Sequence, residues 1–482
     1  MPRSCITLTH LIRLALPAVL LAACTVPREP LAVTEVTVPS LGLGAEPAPA
    51  IADGWWQALG DPQLDRLMTD ALAGNPTLAA AMARLREAGS FLASAEADRR
   101  PQLTGEASVQ AQRLSDAYII PPPYGGSVRG IGQAQLNLSW DLDFWGRQAA
   151  AVSQAHATAA AAALDVDAAR LALAGSVAQT YVELARAEQR LATAKAELEQ
   201  REQALALVRL RVRGQLDGER EARGAEILQA QARQALALAT AQREALVHAC
   251  ALLAGRGGDY YATLQPTRLA PGSSLPLPAT LPADLLARRP DIVAAQARID
   301  SAMAGREMAR TAFYPDIDLM GLAGLQAIGL DRFISSDAAT YGVGAAVHLP
   351  IFDGGQLRAA YAGASARADA AIADYNQAVL GAVRETADAL SRVDSAAASL
   401  EAQRQATAAS AGIRRIEDAR LAAGLGSRLE LIAAELQLLA AQQASADLEA
   451  DQAIARIRLL LAVGGGFDPT HATPVTDTRP SP

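Results

Sequence analysis

The sequence predicts a mainly helical chain that lends a few strands to a membrane β-barrel shared between chains. Three observations carry that prediction. Residues Leu136 to Phe144 alternate strictly: Leu136, Leu138, Trp140, Leu142 and Phe144 against Asn137, Ser139, Asp141 and Asp143. One apolar and one polar face suit a strand with lipid on one side and water on the other. After Trp145-Gly146-Arg147 the pattern turns Ala-rich and helical, with no proline before Pro266. The same event recurs at Tyr341 to Ile351, where Phe352-Asp353-Gly354-Gly355 opens a second proline-free stretch lasting to Pro469.

The chain has 482 residues, 51% of them hydrophobic but only 4% aromatic. Much of that apolar content is alanine, which favours close helix packing over a thick core. A net charge of -8 argues against nucleic acid as a partner. Residues 1–23 read as an export signal: Arg3 and Arg13 precede the short apolar run Leu14 to Ala23. The run ends Leu21-Ala22-Ala23-Cys24, which resembles a bacterial lipobox. Cys24 would then carry the lipid, palmitate included, and become the mature N-terminus. Thr25 rather than aspartate after it favours the outer membrane. With Cys5 removed and Cys24 lipidated, Cys250 is the one free thiol, and its expected role is helix packing.

Residues 24–52, rich in proline and small side chains, predict an extended tether. Asp61-Pro62 opens a helix with Asp61 as N-cap; Asn75-Pro76 restarts it, and Pro101 ends it near Arg100. Residues 103–112 alternate and pair with the 132–144 strand as a hairpin. From Arg147 a helix runs to Arg213, about 100 Å at 1.5 Å per residue. Leu184, Leu191, Leu198, Leu205 and Val212 recur every seven residues and form a coiled-coil seam. Residues 214–218 turn, and a return helix runs from Glu219 to about Ala254. Prolines then mark a crossover at 266–282.

Beyond it the chain repeats. Pro76 and Pro101 find counterparts in Pro290 and Pro315, both offset by 214 residues (290 - 76). Helix, strand, loop, strand, long helix, glycine turn and return helix follow in the same order. The first repeat spans 53–265 and the second 283–466, with a disordered tail expected over 467–482. The short helices should stack end to end beside the long ones. Strands are expected at 103–112, 132–144, 317–328 and 341–351, the third being weakly alternating around Gly321 and Gly324. Four strands cannot close a membrane barrel, and open edges cannot sit in lipid, so chains must share one. The pattern alone allows two or three chains.

Several motifs resemble the TolC-like outer-membrane efflux proteins, and among them the NodT-type lipoproteins. They are the lipobox Cys24, Gly54-Trp55-Trp56, Asp61-Pro62-Gln63-Leu64, Asn75-Pro76, residues 140–147 (WDLDFWGR) and residues 349–355 (LPIFDGG). The resemblance covers about 53–465. It implies a homotrimer with a twelve-stranded barrel in the outer membrane and a twelve-helix periplasmic α-barrel. It further implies the exit duct of a tripartite pump, working with a periplasmic adaptor and an inner-membrane transporter, expected to be of the RND type. Passive conduction of drugs or toxic compounds is the expected activity. The alternatives are protein secretion of type I, metal-ion efflux, or a lipid-anchored periplasmic scaffold.

No enzyme signature stands out. The glycine clusters at 255–258 and 464–466 lack a following Lys-Ser/Thr and read as helix stops. His156, His248 and His348 lack metal-ligand spacing, and no cofactor is expected. In the family, acidic residues just after the second glycine turn ring the closed periplasmic mouth. Glu430 matches one such position, whereas Ala433 stands where a second acid is usual. Arg428 is a candidate for holding that closed state against a neighbouring chain, and Glu221 is the first-half counterpart of Glu430. Against this stands the plainer reading of a solvated first-turn carboxylate.

Overall fold

The computed structural model describes residues 30–37, 41–43, 51–117, 119–269, 277–278, 280, 282 and 284–468. The export signal, Cys24 and the tail beyond 468 lie outside them.

Each half builds the same series. In the first, α1 (Pro62–Gly74) and α2 (Pro76–Asp98) both start with proline at the first position. Asp61 accepts the Gln63 N–H at 2.9 Å, and Asn75 accepts those of Thr77 and Leu78. These caps satisfy amides that have no partner inside the helix. Strands β1 (Gln102–Arg113) and β2 (Val128–Asp141) follow, then α3 (Arg147–Arg213) and α4 (Glu219–Leu253). The second half supplies α5 (Pro290–Thr311), β3 (Asp316–Ile328), β4 (Ala339–His348), α6 (Gln356–Ala422) and α7 (Arg428–Ala462). Both long helices hold 67 residues, and both return helices hold 35.

The four strands form one antiparallel sheet in the order β1-β2-β3-β4. Each long helix leaves directly from a strand. Helices α2 and α5 flank the barrel-side halves of the long helices, and α4 and α7 flank the far halves. The short helices meet end to end. Asn75 Nδ2 donates to Leu253 O at 2.9 Å, joining α2 to α4, and Arg289 Nη1 donates to Ala462 O at 3.2 Å, joining α5 to α7. Glycine is required at both joints. Gly255 has φ +68, and a Cβ there would stand 2.1 Å from Gly74 O. Gly464 has φ +102, and its Cβ would stand 2.0 Å from Arg288 O. The largest core gathers beside the first joint, where Leu64, Leu67, Met68, Tyr181, Leu184 and Ile457 are fully buried. Cys250 lies within it, and burial pushes its thiol up to about 12.

Strands β2 and β4 differ most from expectation: they begin earlier, at Val128 and Ala339 rather than 132 and 341, and both stop short. Strand β2 stops at Asp141, not Phe144, because the Asp143 carboxylate caps α3, accepting N–H of Gln148 (3.0 Å) and Ala149 (2.8 Å). Strand β4 stops at His348 rather than Ile351. Pro350 has no N–H to donate to a ladder, and Asp353 caps α6 through the N–H of Leu357 at 2.7 Å.

Candidate conduction path

The wall of the path is set by register. Leu138 pairs with Leu103 on one side and Gly321 on the other, and Gly321 pairs with Val343. Leu136, Trp140, Leu319, Tyr341 and Val347 share that face. Asn137, Ser139, Thr104, Gln135 and Gln326 share the opposite one. One face is therefore apolar across all four strands, as a lipid-facing wall requires, while the other is polar. Strand β3 alternates weakly because Met320 and Leu322 sit on its polar face, where Gly344 and Gly342 pair with them.

Where the sheet gives way to helices, Arg147 ties two strands together. Its guanidinium reaches Asp141 of β2 and Asp316 of β3, both at 2.7 Å. Trp145 stacks on Tyr314 at 4.9 Å and donates its indole N–H to Pro315 O at 2.8 Å. These residues, with His348, Phe352 and Asp353, line a cavity of about 620 Å³. The N–H groups of Leu357 and Gly355 hold the Asp353 carboxyl below the usual carboxylate range. The WDLDFWGR and LPIFDGG motifs are thus joint chemistry: a capping aspartate and a turn that lets a strand become a helix.

At mid-length a buried polar knot fixes the crossover. Asp61 accepts the Tyr181 hydroxyl and the Arg268 N–H, each at 2.6 Å, as well as its capping bond. Burial alone would raise the Asp61 carboxyl, but these donors outweigh it and hold it below the usual range. Glu188 accepts the N–H and hydroxyl of Thr267, both at 2.8 Å. Sequence reasoning found Asp61 as a cap and missed Tyr181, Glu188 and Arg268, since 79 to 207 residues separate the partners.

The tether is also built in. Asp369 accepts the N–H groups of Ala32 and Val33, and seven residues on Asn376 binds Val36 N–H and Thr34 O. Residues 32–36 therefore run along α6 away from the barrel, and Leu41 is buried among Ile292, Val379 and Ala382.

The helix tips lie at the end far from the sheet. Glu430 and Ser427 form a reciprocal cap: Ser427 N–H donates to Glu430 Oε2 at 2.7 Å, and Glu430 N–H donates to Ser427 Oγ at 3.2 Å. These Ser427 bonds hold the exposed Glu430 carboxyl below its usual range. Glu221 makes half of that arrangement, accepting Gly218 N–H at 3.1 Å. Arg428 donates to Gln203 of its own chain at 3.0 Å, linking α7 to α3. Thus Glu221 and Glu430 share one end, on adjacent hairpins. Among the described residues no group of three or more His, Cys, Asp or Glu could hold a metal ion, and His248 packs on Tyr261 at 4.3 Å.

A four-stranded share of a lipid-facing barrel wall, continuous with paired coiled coils ending in capped tips, defines an outer-membrane duct. The chain belongs to the outer membrane efflux protein family, whose model matches residues 67–256 and again 281–465. It is 30% identical over 438 residues to the multidrug resistance outer membrane protein MdtP of Escherichia coli, covering 88% of each chain. It is 30% identical over 425 residues to the pyoverdine export outer membrane protein OpmQ of Pseudomonas aeruginosa, covering 86% of this chain and 87% of that one. Among solved structures, the Vibrio cholerae outer membrane protein VceC superposes with a TM-score of 0.79 at 32% identity, covering 87% of this chain and all of that one. The outer-membrane channel OprN superposes at 0.78 with 27% identity, covering 92% of this chain and 99% of that one. The fold is TolC-like, and the chain is an outer-membrane efflux protein. Family membership implies a trimer and the partners of a tripartite pump. The family and its fold neighbours are channels rather than enzymes.

Proposed function

We propose that this chain is the lipid-anchored exit duct of a tripartite pump of the RND type, releasing small organic toxicants. The observation that carries the duct is the sheet register, which runs one apolar face through four strands that pass directly into two full-length helices. Relatives named for multidrug resistance, fusaric acid resistance and toluene efflux support the cargo class. Purified trimers placed in a planar bilayer should conduct ions, and deleting the gene should sensitise cells to lipophilic drugs and solvents. Assembled trimers without conductance would refute the duct. Unchanged susceptibility would refute the cargo class. Crosslinking in cells followed by mass spectrometry identifies the pump; a transporter of another class in the crosslinked complex refutes the RND assignment.

The anchor is Cys24. The lipobox supports it, as does the direction of the tether, whose residue 32 lies nearer the barrel than residue 36. Cys24→Ala should abolish labelling by radioactive palmitate, and persistent labelling would refute the anchor. At the tips, three copies of Glu430 form the acidic ring of the gate, Glu221 contributes charge beside it, and Arg428 braces the closed form. The common end of the two glutamates supports this reading.

A further inference from the structure

The two rims of the barrel wall are built differently. At the helix end Trp140 stands on the lipid-facing side of β2, and Phe144, Trp145 and Phe352 are exposed just beyond the strands. Aromatic side chains at a membrane–water boundary place a flat apolar ring beside a polar layer, which is why barrels carry them at both interfaces. Toward the opposite rim the same face of β2 shrinks to Gly130, Gly132 and Ala134 before Val128, with Val109 and Ala111 beside them on β1 and Leu325 and Ala327 on β3. Over Gly130 and Gly132 that face has no side chain of its own.

The β3–β4 connection fills the gap. Gly329, at φ +100, donates its N–H to Gly130 O at 2.8 Å, and the next residues fold back across β2. The Leu330 side chain lies where a Gly130 side chain would be, 3.1 Å from the position of its Cβ. The Phe333 ring likewise covers Gly132, at 2.8 Å. Gly130 and Gly132 have the same parity as Leu136, Leu138 and Trp140, so the connection folds onto the lipid-facing side and not into the mouth of the duct. Strand β2 is an inner strand, flanked by β1 and β3, so the neighbouring protomers, which join at β1 and β4, do not cover this place. Ile334, next to Phe333, is 88% exposed, while Asp331 and Arg332 project into solvent from the same turn.

We propose that residues 329–338 form a hydrophobic knuckle that enters the acyl region of the outer leaflet, with Phe333 and Ile334 supplying the apolar and aromatic bulk that β2 lacks at this rim. Leu330 and Phe333 both pack over the β2 glycines and Ile334 follows directly, while Asp331 and Arg332 stand exposed. The glycines of β2 are the seat: any side chain at 130 or 132 would push the knuckle off the wall.

The test uses an environment-sensitive fluorophore on Ile334→Cys or Asp331→Cys, each in a Cys250→Ala chain, with the unsubstituted Cys250→Ala chain setting the labelling background. Assembled trimers are reconstituted into phosphatidylcholine vesicles carrying bromine on their acyl chains. The probe at 334 should emit at shorter wavelength and lose at least half its intensity to bromine, whereas the probe at 331 should lose little. Equal quenching at the two positions would overturn the proposal. Adding Phe333→Ser should bring the quenching at 334 down to the level at 331. If quenching at 334 is undiminished, the glycine-seated ring does not hold the knuckle in place, and that part of the proposal fails. Channel conductance, unchanged in all variants, confirms that the barrel is intact.

Discussion

In the first half of the chain the short helices are joined through an asparagine; in the second half they are joined through an arginine. Asn75 caps α2 and donates to the last turn of α4. Arg289 donates to the last turn of α7 while also binding Asp291 at 2.7 Å and Glu385 at 2.9 Å. The geometry is the same, a return helix continued by a short one, yet one joint is neutral and capped and the other is ionic. The first joint also rests on the large equatorial core and the Asp61–Tyr181 knot. The second has a much smaller core around Leu285 and Leu459. A repeated fold fixes where two helix ends must meet and leaves open which chemistry satisfies their carbonyls.

The backbone requirement common to both joints gives the largest expected effect. Gly255→Ala and Gly464→Ala each force a Cβ into a carbonyl oxygen at a left-handed position. Each should cost about 3 kcal/mol from overpacking and backbone strain together. Both variants should lose the heat-resistant trimer in gel migration. If either trimer persists at the wild-type temperature, the two joints are not equally tight.

The next effect belongs to the first half. Asp61→Ala leaves the Tyr181 hydroxyl and the Arg268 N–H without their acceptor, at a cost of about 2–3 kcal/mol. The native Asp61 carboxyl is held below its ordinary value of 3.8. Its contribution is therefore full above that value and lost as pH falls through the lower, folded value. Thermal unfolding from pH 7 to 3 should show wild type approaching Asp61→Ala at the acid end. A constant gap between the two curves would place the effect elsewhere.

Much of this was legible from sequence. Proline-free stretches located both long helices, and alternation located all four strands. Strand ends were overrun where Asp143 and Asp353 turned from strand pattern to helix cap, because a carboxylate reads as polar in either role. The weak third strand was a consequence of Met320 and Leu322 on the polar face, opposite two glycines that make room for them. What no local pattern could give were contacts between distant positions. Asp369 and Asn376 read as ordinary helix surface until the tether, more than 330 residues away, lies on them. The candidate tip residues were visible only as charges after a glycine turn; that Arg428 reaches Gln203 depends on how two hairpins pack.

The two joints part most clearly in salt. Asn75→Ala should cost about 1–2 kcal/mol through the lost cap and the unpaired carbonyl, with no dependence on ionic strength. Arg289→Ala should cost a similar amount, about 1–2 kcal/mol, between the limits for exposed and buried ion pairs, because Arg289 is buried but its carboxylate partners are about half exposed. Its deficit should shrink between 0.05 and 1 M salt, taken as roughly a fourfold fall in Debye length. Unfolding of both variants across that range decides the matter. A salt-independent Arg289→Ala deficit would mean that its bond to the Ala462 carbonyl, not its charge, joins the helices.

The smallest expected change is at the tips, where the halves again differ in one partner. Glu430 shares a reciprocal cap with Ser427, whereas Glu221 faces Gly218, which has no side chain to return the bond. The Glu430 carboxylate accepts an N–H at 2.7 Å on a backbone fixed by Ser427 Oγ, whereas the Glu221 carboxylate accepts one at 3.1 Å without that second tie, so the Glu430 charge is the better ordered. In the proposed gate, three ordered carboxylates would attract cations and repel anions at short range. Glu430→Gln should lower cation selectivity in planar-bilayer recordings without altering trimer yield, and Glu221→Gln should lower it less. The Ser427 bonds hold the Glu430 carboxyl below its ordinary value of 4.5, so the charge persists on acidification to that value and is lost only as pH falls further. Wild-type selectivity should therefore be flat from pH 7 down to that value and decline toward that of Glu430→Gln only below it. If the two substitutions act equally, the cap does not order the charge. If neither changes selectivity, both glutamates serve only their helix ends and the constriction lies at another level of the duct.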